Sequence, residues 1–239
     1  VLEEVSLYHS QKWVAFKNSY RHASSNPRQF EIACFARYFA LMHYLNVMEF
    51  PEGQFVILSD SDVIPQFKFG QGIHFEMDEN TFVASQTFAN NINPEPQYSP
   101  HFSIWNRSLL RSFIEFLIDF YQQNQEINIA RAVNNYEEIG MNTSISDMTL
   151  LYEWVLDKKL KFQNYSDLSL EQFIDHNISC FQRTKAGKCL TTIPVFSFRR
   201  CSIGFFSFSD LEFYEPAILH IQGWKKRMIP LYWKSRIIF

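Results

Sequence analysis

Glycine is scarce in this 239-residue chain, with 7 residues in all. No segment is rich in Gly, Ser and Pro as a linker would be, and no repeat of solenoid period or low-complexity tract is present. Long runs of one charge are also missing. Charged residues make up 20%, the formal net charge is −3, and the longest like-charge run is the three residues Lys225-Lys226-Arg227. That excludes a polyanion binder driven by bulk electrostatics, so nucleic acid is not expected as a partner. Nowhere do roughly eighteen uncharged apolar residues run together. The chain opens Val1-Leu2-Glu3-Glu4 and not with a basic-then-apolar leader, so neither a membrane span nor a secretory signal is read. Cysteine is limited to Cys34, Cys180, Cys189 and Cys201, which lack the paired two-residue spacing of a zinc site. A disulfide among the last three is left open. Asn-x-Ser/Thr triplets at Asn106, Asn142, Asn164 and Asn177 matter only in a secreted chain.

Aromatics are abundant instead, with 25 Phe, 11 Tyr and 5 Trp in a chain that is 46% apolar, enough to bury a substantial core. Most of the Phe are expected in that core. With no linker in view, residues 1–239 read as a single domain.

The order of elements reads as α/β. Asn26-Pro27 opens a helix running to about Asn46, with Phe30, Cys34, Leu41, Tyr44 and Leu45 on one stripe. Pro51-Glu52-Gly53 breaks the chain before Phe55-Val56-Ile57-Leu58, an apolar run typical of a strand covered on both faces. Phe82-Val83-Ala84 and His101-Phe102-Ser103-Ile104 are candidate strands, and Leu109 to Tyr121 has helical period. A further helix is expected from Met148 to about Lys159, strands or a hairpin between Phe196 and Phe213, and a short strand at Ala217 to Ile221. A helix feeding a buried strand predicts a mostly parallel central sheet flanked by helices.

The sharpest chemical signal is Val56-Ile57-Leu58-Ser59-Asp60-Ser61-Asp62-Val63. Two acids emerge where an apolar strand ends, the edge at which α/β sheets bind ligands. Alternation of an extended backbone sets Asp60 and Asp62 on one side, where their charges repel unless a cation lies between. Hard oxygen ligands suit Mg²⁺ or Mn²⁺, which neutralise a diphosphate. A solvated turn is the competing reading, because Asp-Ser-Asp is a common turn composition. In His220-Ile221-Gln222-Gly223-Trp224-Lys225-Lys226 the imidazole is a candidate ligand of the same metal, Gly223 admits close backbone approach to a phosphate, and a Lys can neutralise it. Arg37 lies on the apolar stripe, where a guanidinium needs an anion: a phosphate, one of the Asp60/Asp62 pair, or Glu31. Asp147 stands at capping-box spacing from Ser144, yet an acid at a helix start can also bind a sugar hydroxyl or act as a base.

Together these pieces resemble the nucleotide-sugar glycosyltransferases of the GT-A type. The resemblance is carried by Phe30-Glu31-x-x-Cys34-Phe35-x-Arg37, Leu58-Ser59-Asp60-Ser61-Asp62-Val63, Ser146-Asp147-Met148 and His220-x-Gln222-Gly223-x-x-Lys226. It implies Asp60, Asp62 and His220 as ligands of Mn²⁺ or Mg²⁺. It further implies donor contacts from Arg37, Asp60, Ser61, Gly223 and Lys226, and Asp147 as the catalytic or sugar-contacting acid. The donor is then a nucleoside-diphosphate sugar and the acceptor a glycan or a lipid-linked sugar. Family members begin with a strand and loop that hold the nucleotide base, and only Val5-Ser6-Leu7-Tyr8 stands for that region, so part of it is expected to be missing. Met148, where retaining members often carry an amide, leaves the stereochemical outcome open.

Other readings fare less well. A haloacid-dehalogenase phosphatase needs Thr or Val where Ile64 stands and a late Gly-Asp pair, which the chain lacks. A P-loop fails because Gln182 replaces its first Gly and Cys189 its hydroxyl. A carbohydrate-binding module with Trp105, Trp224 and Trp233 as platforms is the non-enzymatic alternative. Ser99 to Trp105 and Phe205 to Phe213 are read as core or as an acceptor groove. The basic, aromatic tail from Trp224 to Phe239 suits a membrane interface or packing on the domain. A cytoplasmic, membrane-associated location is expected, or the Golgi lumen if a leader has been removed.

Overall fold

The computed structural model describes residues 10–61, 63–65, 77–89, 93–123, 125–137 and 145–164, with the strand segments 195–197, 202–206, 213–214 and 218–220. It divides into two compact units, one of residues 1–58, 77–89 and 94–163, the other of 59–76, 90–93 and 164–239. The chain passes between the units several times within continuous sequence, which is why no linker marks a boundary.

The first unit is built from α1 (Gln11–Ser19), α2 (Arg28–Val47), α3 (Arg107–Gln122), α4 (Gln125–Glu137) and α5 (Asp147–Asp157) with a four-stranded mixed sheet. That sheet has the order β1-β4-β3-β5, formed by β1 (Phe55–Ser59), β3 (Thr81–Ala89), β4 (Asn93–Asn106) and β5 (Lys161–Asn164). The α/β expectation holds. The sheet is mixed where a mostly parallel one was expected: only residues 90–92 separate the neighbours β3 and β4, too short a link for a parallel pair. The second unit contains β2 (Val63–Pro65) paired antiparallel with β9 (Ile218–His220), and an antiparallel sheet of β6 (Val195–Ser197), β7 (Ser202–Phe206) and β8 (Phe213–Tyr214). The strands expected between Phe196 and Phe213 and at Ala217 to Ile221 are therefore present.

Helix α3 touches each of the other four helices, and its sequence explains why. Leu109, Leu110, Phe113, Phe116, Leu117 and Phe120 recur at helical spacing and all are buried. Asn106 caps it, its Oδ1 accepting the Leu109 N–H at 2.8 Å while its Nδ2 donates to the Glu79 carbonyl at 3.0 Å. At 2% exposure Asn106 is closed to glycosylation. The aromatic core centres on Trp105, whose ring stacks on Trp154 at 5.7 Å and meets Phe82 at 4.8 Å and Tyr38 at 5.6 Å. Ser99 to Trp105 is buried throughout, so this stretch is core and no acceptor groove. Trp105 is thereby lost as a sugar platform, while Trp224, Trp233 and residues 207–212 lie outside the described residues.

Helix α2 differs from its expected face. Phe30 is 57% and Tyr44 44% exposed, while Glu31, Phe35, Tyr38, Phe39 and Leu45 turn inward. Pro27 occupies the cap position, and Asn26, expected to cap, sends its amide to Glu31. Strand β1 alternates, with Phe55 and Ile57 each 38% exposed, so it is not covered on both faces as its apolar run predicts. In a glycine-poor chain, Glu49 (φ 49°) and Lys159 (φ 50°) take the left-handed positions after α2 and α5, where the Phe50 N–H closes on the Leu45 carbonyl at 2.9 Å and the Leu160 N–H on Val155 at 3.0 Å. No described helix is long and apolar enough to cross a membrane.

Burial pushes the Tyr20, Tyr98 and Cys34 groups up to about 12, and raises Tyr121 well above its ordinary value. These acids ionise near pH ~10 or, for the thiol, ~8.5 once unfolded, so above those values the folded state binds more protons than the unfolded one. Their contribution is complete below the unfolded values and disappears as pH rises toward 12. We expect unfolding in alkali to coincide with cooperative appearance of tyrosinate absorbance; independent titration of these tyrosines near their ordinary value while the fold persists contradicts the packing described.

Candidate functional site

Two helices far apart in sequence bring three side chains together in the first unit. Asp147 is the first residue of α5 and is 3% exposed. Its Oδ2 accepts the Tyr38 hydroxyl at 2.9 Å and meets an Arg37 terminal nitrogen at 3.1 Å. Arg37 and Tyr38 are successive residues of α2, and Arg37 also donates through Nε to the Cys34 carbonyl at 2.8 Å. A carboxylate this deeply buried requires both charge compensation and hydrogen bonding, and the pair supplies both. Its position in the first turn adds the favourable end of the helix dipole. Both of these contacts are made to Oδ2.

The capping explanation for Asp147 is overturned. Ser146 is the cap residue, and its N–H donates to Thr149 Oγ1 at 3.3 Å in a capping box two residues later than the Ser144-x-x-Asp147 spacing predicts. The Asp147 carboxylate is engaged by Arg37 and Tyr38 of α2, not by the cap of its own helix. Cys34 lies beside the cluster. Its thiol is pushed up to about 12, first by burial and next by the charge of Asp147, with Arg37 opposing. Such a thiol is protonated at neutral pH and is no nucleophile.

Arg37 forms an ion pair with Asp147, a pairing not among those the sequence offered. Glu31, one of the partners considered for it, instead accepts from Ser24 and Asn26. Tyr38 was missed by sequence reasoning; the only available signal was its place next to an arginine on a helix apolar on every side.

In the second unit, Asp60 follows β1, is half-buried, and accepts the Val63 N–H on its carbonyl at 3.2 Å. Ser61 is exposed in the turn. The β2–β9 register sets Val63 opposite His220, Ile64 opposite Leu219 and Pro65 opposite Ile218. His220 therefore lies across the strand pair from the residue that follows Asp62 in sequence. Asp62, Gly223 and Lys226 themselves lie outside the described residues, as does the tail from Trp224. Among the described residues no group of three His, Cys, Asp or Glu side chains is gathered to hold a cation. Three clefts among the described residues of the first unit, of about 150, 210 and 400 Å³, are lined by other residues than the expected site residues.

No protein-family model matches the chain, and no curated protein or solved structure matches it either.

Proposed function

We propose that this chain is a metal-dependent glycosyltransferase that moves a sugar from a nucleoside-diphosphate sugar to a glycan or lipid-linked acceptor. The observation that carries this reading is the β2–β9 register, which brings a histidine from late in the chain opposite the residue after an Asp-x-Asp motif. Opposite residues of an antiparallel pair have Cα atoms roughly 4.5–5.5 Å apart. Carboxylates of Asp60 and Asp62 with the imidazole of His220 form a hard, mixed O/N donor set that fits Mn²⁺ or Mg²⁺. A cation bound there supplies charge neutralisation for a diphosphate leaving group.

The remaining roles fall to this chain's own side chains. Ser61 and the Gly223 backbone contact the donor phosphates, and Lys226 offsets their residual charge. Asp147 is the acid we assign to the donor sugar, and its Oδ2 is held by Arg37 and Tyr38. This assigns Arg37 to positioning the acid in place of a direct phosphate contact. The acceptor hydroxyl oxygen forms the new bond to the anomeric carbon, the bond to the diphosphate oxygen breaks with its electron pair going to the departing diphosphate, and the acceptor proton passes to solvent water. A fixed anion and fixed donors lower the barrier chiefly by orientation and electrostatics.

A thermal-shift screen of nucleoside diphosphates with Mn²⁺ or with EDTA tests the reading. At about a hundredfold excess over the dissociation constant, binding adds roughly 2.7 kcal/mol, which raises Tm by several degrees. We expect that rise for one nucleotide base and only with the cation present. Identical melting in all conditions overturns the assignment.

A further inference from the structure

The turn between α1 and α2 is held by one buried carboxylate. Glu31 Oε1 accepts from Ser24 Oγ and from Asn26 Nδ2, each at 2.7 Å, and the Asn26 N–H donates to Ser24 Oγ at 3.1 Å. In the same turn the Ala23 carbonyl accepts the Ile145 N–H at 2.8 Å. Ile145 is fully buried and stands two residues before Asp147. Helix α2 therefore locates Asp147 twice, directly through Arg37 and Tyr38 and indirectly through Glu31 and the turn it fastens.

Stability alone explains Glu31 poorly. The residue is 1% exposed, and its Oε2 has no hydrogen-bond partner among the described residues. Tyr121, whose ionisation Glu31 opposes, likewise has a buried hydroxyl without a described partner. A buried, half-satisfied carboxylate is costly, and an apolar side chain of similar size fills such space at less cost. What distinguishes the carboxylate is the pair of donors gathered on its other oxygen.

We infer that Glu31 is a positioning residue, fixing the Ser24–Asn26 turn and, through Ala23 and Ile145, the entry to α5 and the carboxylate of Asp147. Its kinetic consequence rests on the reading of Asp147 given above; its geometric consequence does not. Glu31→Met removes the acceptor while keeping bulk, and Glu31→Gln keeps an oxygen for both donors.

In the folded full chain, amide hydrogen exchange at Ile145 should accelerate about tenfold or more in Glu31→Met and stay near the wild-type rate in Glu31→Gln. With nucleotide-sugar donor, kcat should fall by about tenfold in Glu31→Met with donor KM unchanged, and Gln should restore it. Unaltered Ile145 exchange in Glu31→Met, or a rise in KM with unchanged kcat, overturns the inference. Should Glu31→Met fail to fold, the double variant Ser24→Ala, Asn26→Ala removes the same two bonds from the turn and must accelerate Ile145 exchange; no acceleration overturns it equally. If the wild-type chain turns over no nucleotide sugar, the transferase reading falls, and Ile145 exchange still decides the role of Glu31.

Discussion

Asp62→Ala should depress cation-dependent donor turnover by about a thousandfold, the order of the several kcal/mol that a metal contributes to stabilising a developing anionic leaving group. The loss should appear in donor hydrolysis as well as in transfer, because charge on the diphosphate develops in both. His220→Ala should act in the same direction, since the β2–β9 register sets that residue opposite Val63. Ser59→Ala provides the control: its exposed hydroxyl donates to the neighbouring Asp60 carbonyl at 3.2 Å, and turnover should be unchanged. Equal rates for wild type and Asp62→Ala, with EDTA making no difference to either, remove the metal role from these residues.

Asp147→Asn should lower turnover by roughly a hundredfold, as expected for losing a charged hydrogen bond to the reacting sugar. It should also destabilise the fold. The Arg37 side chain is 20% exposed and its partner carboxylate 4%, so the amide leaves a largely buried guanidinium without its counter-charge, at a cost of about 3 kcal/mol. Thr149→Val separates the two effects. It removes the acceptor of the Ser146 N–H, costing about 1 kcal/mol, and leaves the Asp147 carboxylate untouched. The Thr149 variant should melt earlier and turn over normally. An Asp147→Asn protein with lowered Tm and full turnover reduces the acid to a structural ion pair.

How much of this was legible beforehand depended on how many faces of each element were apolar. Helix α3 carries its large residues on one stripe, and that stripe is the buried one. Helix α2 is apolar almost all round, so periodicity had no preferred direction. The expected stripe put Phe30 and Tyr44 inward, whereas packing chose Phe35, Tyr38 and Phe39. The same ambiguity hid Tyr38 as the second donor to Asp147. Helices α1 and α4 were not anticipated: α1 is short, and α4, with Gln125, Glu126, Asn128, Asn134 and Asn135, has little apolar face to read. The cap of α5 was misread because Ser144 and Ser146 both precede Asp147, and only backbone geometry distinguishes them.

Sequence by itself determined the α/β character, the apolar strand ending in Asp60-Ser61-Asp62, the late histidine strand and the heavy aromatic core, because each is a local pattern of residue type and spacing. Tertiary structure alone decided that Arg37 and Tyr38 close on Asp147, that Glu31 fastens the turn leading to it, and that His220 lies opposite Val63. Those pairings join residues distant in the chain, and nothing in local propensity specifies which buried charge meets which partner until the elements pack.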